Sequence, residues 1–118
     1  MGGSSVDTPE VSRSQRVKRT LVRLPAKGRT GAVPKWPLSG RAQKGWAQLW
    51  RLPQAVMWER QQSYFAVARY LRLRNAVDAV GSAEAIRPSL LAELRHLETA
   101  LGLNPKGLQV LGWEIEAA

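Results

Sequence analysis

Leu90, Leu94, Leu97 and Leu101 recur at intervals of four, three and four, a spacing that commits this stretch to an amphipathic helix. Pro88 suits the first helical position, because its fixed φ matches the first turn and its missing N–H would have no partner there. Gly102 follows the last leucine where a left-handed residue ends a helix. Asn104 and Pro105 then predict an N-cap and first-turn proline for a short final helix carrying Leu108, Leu111 and Trp113.

Apolar periodicity of the same kind begins at Trp36. Ser39 is the expected N-cap of a helix in which Ala42, Trp46, Leu49 and Trp50 form one stripe, ending near Leu52. A second periodic segment runs from Pro53 to about Val80, with Met57, Tyr64, Ala68 and Leu71 on one face, flanked by Trp58, Phe65 and Ala76. As one continuous helix it would be roughly 42 Å long, with Gly81 as its left-handed cap. Residues 81–87 would join it to the leucine helix as an antiparallel hairpin. No stretch alternates with period two for long enough to predict a strand. The expected class is all-α: a helical hairpin body with short flanking helices, preceded by a disordered or partly ordered basic N-terminal arm.

That arm, residues 1–35, is set apart by charge. The chain holds 18 Lys and Arg against 9 Asp and Glu, a net charge of +9. Residues 1–35 hold eight cations and two acids, so a net +6 sits on less than a third of the length. Gly, Ser, Thr and Pro punctuate the arm, and its one apolar cluster, Val17, Leu21, Val22 and Leu24, buries too little to offset the entropy of ordering it. Val17, Leu21 and Leu24 stand at i, i+4, i+7, the pattern of a short helix that forms on a partner. Arg13, Arg16, Lys18, Arg19, Arg23, Lys27, Arg29 and Lys35 are the candidate DNA contacts, since each cation that neutralises a phosphate releases condensed counterions. Residues 36–118 make the second unit, the helical body.

Several chemistries are excluded. With no Cys and His96 as the one histidine, the chain has no Cys/His zinc site, disulfide or Cys nucleophile. AKGRTG lacks the Gly-Lys-Ser/Thr ending of a phosphate-cradling loop. Asp78, Glu84, Glu93, Glu98, Glu114 and Glu116 are too scattered to converge on catalytic cations, and His96 has no nucleophile at a suggestive spacing. No catalytic residue, metal site or cofactor is expected. No apolar run approaches the ~20 residues of a bilayer span, and MGGSSVDTPEVSRSQ lacks a signal peptide's apolar core, so a soluble intracellular protein without a membrane partner is expected.

The five tryptophans, Trp36, Trp46, Trp50, Trp58 and Trp113, are many for a thin helical body. They point to self-association through aromatic faces, with Trp46, Trp50, Trp58 and Phe65 as the candidate interface. Two other classes fit the same charge: a monomeric basic RNA-binding protein, and a helix-turn-helix regulator using the terminal helices, which would be a dimer on a palindromic site.

The string PKWPLSGRAQKGWAQLWRLPQAVMWERQ, then VARYLRLR, and the closing LRHLETALGLNPKGLQVLGWEIE resemble the small terminase subunits of tailed bacteriophages, particularly those infecting actinobacteria. The resemblance covers roughly residues 31–116 and is one of pattern, without a catalytic motif. It implies a non-enzymatic component of the genome-packaging motor in the host cytoplasm. Such a component assembles as a homo-oligomeric ring, binds double-stranded viral DNA and presents it to the large terminase subunit, which owns the ATPase and nuclease. The arm from Gly2 to Arg29 lies outside the resemblance, and Gly112 stands where a basic residue would be expected.

Overall fold

The computed structural model describes residues 21–82 and 85–118. Among these residues five α-helices and two short strands follow in the order β1 (Val22–Leu24), α1 (Trp46–Leu49), α2 (Ala55–Arg60), α3 (Tyr64–Asp78), α4 (Pro88–Ala100), α5 (Pro105–Leu111) and β2 (Trp113–Ile115). The fold is mostly helical, but the all-α expectation is corrected by the strand pair. β1 and β2 are parallel, with Val22 opposite Trp113, Arg23 opposite Glu114 and Leu24 opposite Ile115. The Val22 N–H donates to Gly112 O at 2.8 Å and the Glu116 N–H to Leu24 O at 2.9 Å, extending the ladder at both ends. Parallel strands need a long crossover, and here every helix of the described residues lies within it.

This pairing moves the boundary of the fold. Leu24 is fully buried in the core, and the Arg29 N–H donates to Leu52 O, so residues 21–35 belong to the body rather than to a flexible arm. The partner-induced helix through Leu21 and Leu24 is replaced by β1, and Val17 lies outside the described residues. Gly28 is needed in the turn after β1: its φ is +86°, and a side chain there would drive into the Arg51 carbonyl.

The first expected helix is reduced to one turn. Gly40 and Gly45 both take left-handed φ, 83° and 98°, so the chain bends through residues 38–41 and Gly45, not Ser39, precedes the helix. The long expected helix is divided as well. α2 ends at Arg60 and Gln62 takes φ 55°. The Ser63 N–H donates to Trp58 O and the Gln62 N–H to Glu59 O, the two bonds of a Schellman cap. Packing accounts for the break. Trp58 lies edge-on to Trp50, with centroids 5.6 Å apart, while Tyr64 stacks on the same ring at 5.3 Å. Six residues along one helix turn through about 240°, so an unbroken helix would aim these two rings away from each other.

α3 ends at Asp78, and Gly81 has no left-handed φ, so the cap expected there is not formed. α4 begins at Pro88, and its end repeats the Schellman pattern, with Gly102 at φ 73° and the Leu103 N–H donating to Glu98 O. A Cβ on Gly102 would come 2.6 Å from the Trp113 ring. Asn104 caps α5 as expected, its Oδ1 accepting from the Gly107 N–H at 2.7 Å, but the helix stops at Leu111 and Trp113 sits on β2.

Leu24, Trp46, Leu49, Trp50, Ala55, Trp58, Val67, Ala68, Tyr70, Leu71, Leu101 and Trp113 form the buried core. Trp36, Trp46, Trp50 and Trp58 meet in a chain of edge-to-face contacts 4.9–5.6 Å between centroids. Two indoles are also anchored to backbone: Trp46 Nε1 donates to Pro34 O at 2.7 Å and Trp58 Nε1 to Leu101 O at 2.9 Å. Gln54 Nε2 donates to Gly102 O at 2.9 Å, so two side chains from the α2 region hold the end of α4.

Candidate nucleic-acid interface

The described residues hold fourteen of the eighteen cations and six of the nine acids, a balance of +8 that belongs to the folded body. Twelve of those fourteen cations are exposed; Arg29 and Arg74 are not. An extended positive surface of this kind attracts a polyanion and raises its encounter rate, with or without a tail.

Of the eight expected DNA contacts, Arg13, Arg16, Lys18 and Arg19 lie outside the described residues. The other four are not equivalent. Lys27 and Lys35 are exposed. Arg23 projects into solvent with its Nε 3.7 Å from Glu114 Oε1 across the strand pair, an exposed contact of little strength. Arg29 is the correction: its side chain is 8% exposed, and its Nη2 donates to Glu59 Oε2 at 2.9 Å and to Ala32 O at 3.1 Å. Its guanidinium carbon lies 5.5 Å from the Trp50 ring centroid. A cation enclosed by a carboxylate, a carbonyl and an indole is structural and has no free face for a phosphate. The hydrogen bond from Arg29 holds the Glu59 carboxyl below its ordinary range.

The candidate interface residues divide in the same way. Trp46, Trp50 and Trp58 are enclosed within one chain, so in this fold they offer no surface to a second copy. The premise that five tryptophans exceed what one such body can bury is corrected, because Trp113 is buried too and Trp36 is half-buried against the core. Short helices joined by irregular segments wrap these rings from several directions, as straight hairpin helices would not. Phe65 differs, being 52% exposed on α3.

Two further groups of cations lie outside the eight expected contacts. Arg69 and Arg72 line one shallow depression of about 440 Å³ together with Leu73 and Ala76. By helical projection Arg60, Arg69, Arg72 and Arg74 spread over several faces, which argues against a groove reader, but Arg69 and Arg72 share one face with Phe65, at i, i+4 and i+7. Lys44 and Arg74 line another cleft of about 650 Å³ with Gln43, Gln48, Asn75 and Asp78. There Asn75 Nδ2 donates to Gln43 Oε1 at 3.1 Å and to Lys44 O at 3.0 Å, fixing the loop before α1 against α3. Arg74 also lies over the Tyr70 ring at 5.9 Å. Burial raises the Tyr70 phenol above its ordinary value despite the opposing hydrogen bond from Arg74.

His96 and Arg95 are exposed on α4. Glu114 and Glu116 stand two apart on extended chain that pairs with β1, which aims them to one side. Among the described residues no group of three or more His, Asp or Glu side chains is arranged to hold a metal ion, and no helix is long and apolar enough to cross a membrane. What the surface can do chemically is bind anions. Compared with protein-family models, curated proteins and solved structures, the chain matches none.

Proposed function

We propose that this chain is a non-enzymatic, duplex-DNA-binding subunit of the small terminase type, acting with a large ATPase–nuclease in packaging a viral genome. The observation that carries its DNA-binding part is the distribution of charge: twelve exposed cations on a body of net +8. Such a surface suits a phosphate backbone and gives affinity that is steeply salt-dependent and largely independent of sequence. The packaging role rests on the resemblance of the Trp36–Trp58 stretch and of LGLNPKGLQVL to that family.

A ring is carried by the resemblance alone, since Trp46, Trp50 and Trp58 are occupied within one chain. That same burial favours a second reading, a monomeric basic nucleic-acid-binding protein. Light scattering on the purified chain separates the two: a discrete multimer supports the packaging ring, and a 13.1 kDa species supports the monomer. Co-purification with a Walker-type ATPase–nuclease encoded beside it tests the packaging role. Absence of a complex at micromolar concentrations of both proteins would overturn that role.

A further inference from the structure

The outer face of α3 carries Phe65, Arg69, Arg72 and Ala76 in succession, all four exposed, while the opposite face buries Val67, Ala68, Tyr70 and Leu71. No carboxylate among the described residues is in ion-pair contact with Arg69 or Arg72, whereas Arg23 and Arg29 each have one. Lys35 adjoins the N-terminal end of this stripe, lining a depression with Pro34, Pro37, Tyr64 and Phe65. Three cations without carboxylate partners and one half-exposed aromatic ring thus follow a single ridge.

We infer that this ridge, Lys35–Phe65–Arg69–Arg72, is the surface that seats one strand of the duplex backbone; the inference rests on the DNA-binding reading and names its site. From Phe65 to Ala76 the helix extends about 16 Å, the axial length of roughly five base pairs. Lys35, Arg69 and Arg72 meet successive phosphates along that length. An exposed phenylalanine is a poor choice for solubility, but here it has a task. The Arg69 guanidinium lies over its ring, 5.6 Å from the centroid. That contact restricts the arginine's rotamers before DNA arrives, so less side-chain entropy is lost when the guanidinium meets a phosphate. Phe65 is therefore a positioning residue, and the arginines make the contacts. The backbone at this face is rigid, because α3 is anchored on its other side by four core residues.

The test uses the full chain and a labelled 20-base-pair duplex, with affinity measured by fluorescence anisotropy between 50 and 200 mM salt. The triple substitution Lys35→Gln, Arg69→Gln, Arg72→Gln is compared with Arg51→Gln, Arg95→Gln, Lys106→Gln, which removes the same charge from exposed positions elsewhere. The ridge variant is expected to lose at least about tenfold in affinity at 100 mM salt and about three from the log–log salt slope, near 0.9 per phosphate contact released. The control should lose less than a third of that slope change. Equal losses in the two triples would overturn the ridge while leaving DNA binding intact, and failure of the unsubstituted chain to bind duplex would overturn both. Phe65→Leu should weaken binding about two- to fivefold, the worth of an exposed cation–π contact, with the salt slope and thermal midpoint unchanged. Undiminished affinity in that variant would remove Phe65 from the site. Equal affinity for polyglutamate of matched charge would overturn the assignment to a nucleic-acid backbone.

Discussion

The tryptophan-bearing stretch and the leucine helix invert the usual expectation about regularity and burial. Residues 36–60 hold helices of only four and six residues, yet they supply five of the twelve buried apolar residues of the core, among them the fully buried Trp50 and Trp58. α4 has the most regular apolar repeat in the sequence and not one fully buried residue; Leu90 is 41% exposed, Leu94 and Leu97 pack only partly buried against the core, and Leu101, the one buried leucine of the stripe, lies just past the helix. Period-3.6 spacing states that a helix can bury one face. Ring size and polar edges decide which segment holds the interior, because an indole fills more volume than a leucine and its N–H must reach an acceptor.

The largest effect should fall on Trp58. Trp58→Ala would remove a fully buried ring and its bond to Leu101 O, lowering stability by about 3–5 kcal/mol. Urea unfolding followed by circular dichroism measures it, and a loss no greater than that of Leu90→Ala would break the comparison. Trp58→Phe should cost less but still exceed Trp50→Phe in its hydrogen-bond component. Trp50 Nε1 is buried without a partner among the described residues, so removing it orphans no acceptor.

A smaller effect concerns Arg29 and Glu59, which tie the first loop to the tryptophan stretch. Because the Glu59 carboxyl titrates below its ordinary 4.5 in the fold, its contribution is present above that pH and is lost as pH falls through the lowered value. Acid titration of stability should therefore show a component below about pH 4.5 that Glu59→Gln abolishes. Gln62→Gly should raise stability by about 1 kcal/mol, since a left-handed non-glycine residue carries a steric cost that glycine avoids. Leu90→Ala should change stability least, by about 1 kcal/mol or less, as a substitution at a largely solvent-facing position.

The C-terminal part of the fold was legible because its punctuation is local and chemically strong. Pro88, Gly102, Asn104 and Pro105 act where the sequence puts them. The break at Gln62 was not legible, because nothing marks a glutamine for left-handed geometry until Trp58 and Tyr64 are both required on one ring. The strands were hidden by length. Val-Arg-Leu and Trp-Glu-Ile each alternate apolar, charged, apolar, with opposite charges at the centre, but three residues are too few to carry a period-two signal and the pair is separated by nearly the whole fold. Among the candidate contacts, charge type was readable and availability was not: Arg29 and Lys35 look alike in sequence, and only packing encloses one and leaves the other exposed.

The central claim is that this cationic body grips duplex DNA by releasing phosphate counterions. The slope of log affinity against log salt for the full chain and a mixed-sequence duplex tests it most directly. Six or more phosphate contacts would give a slope of about −5 or steeper. A slope near zero, or no binding at 50 mM salt, would contradict it.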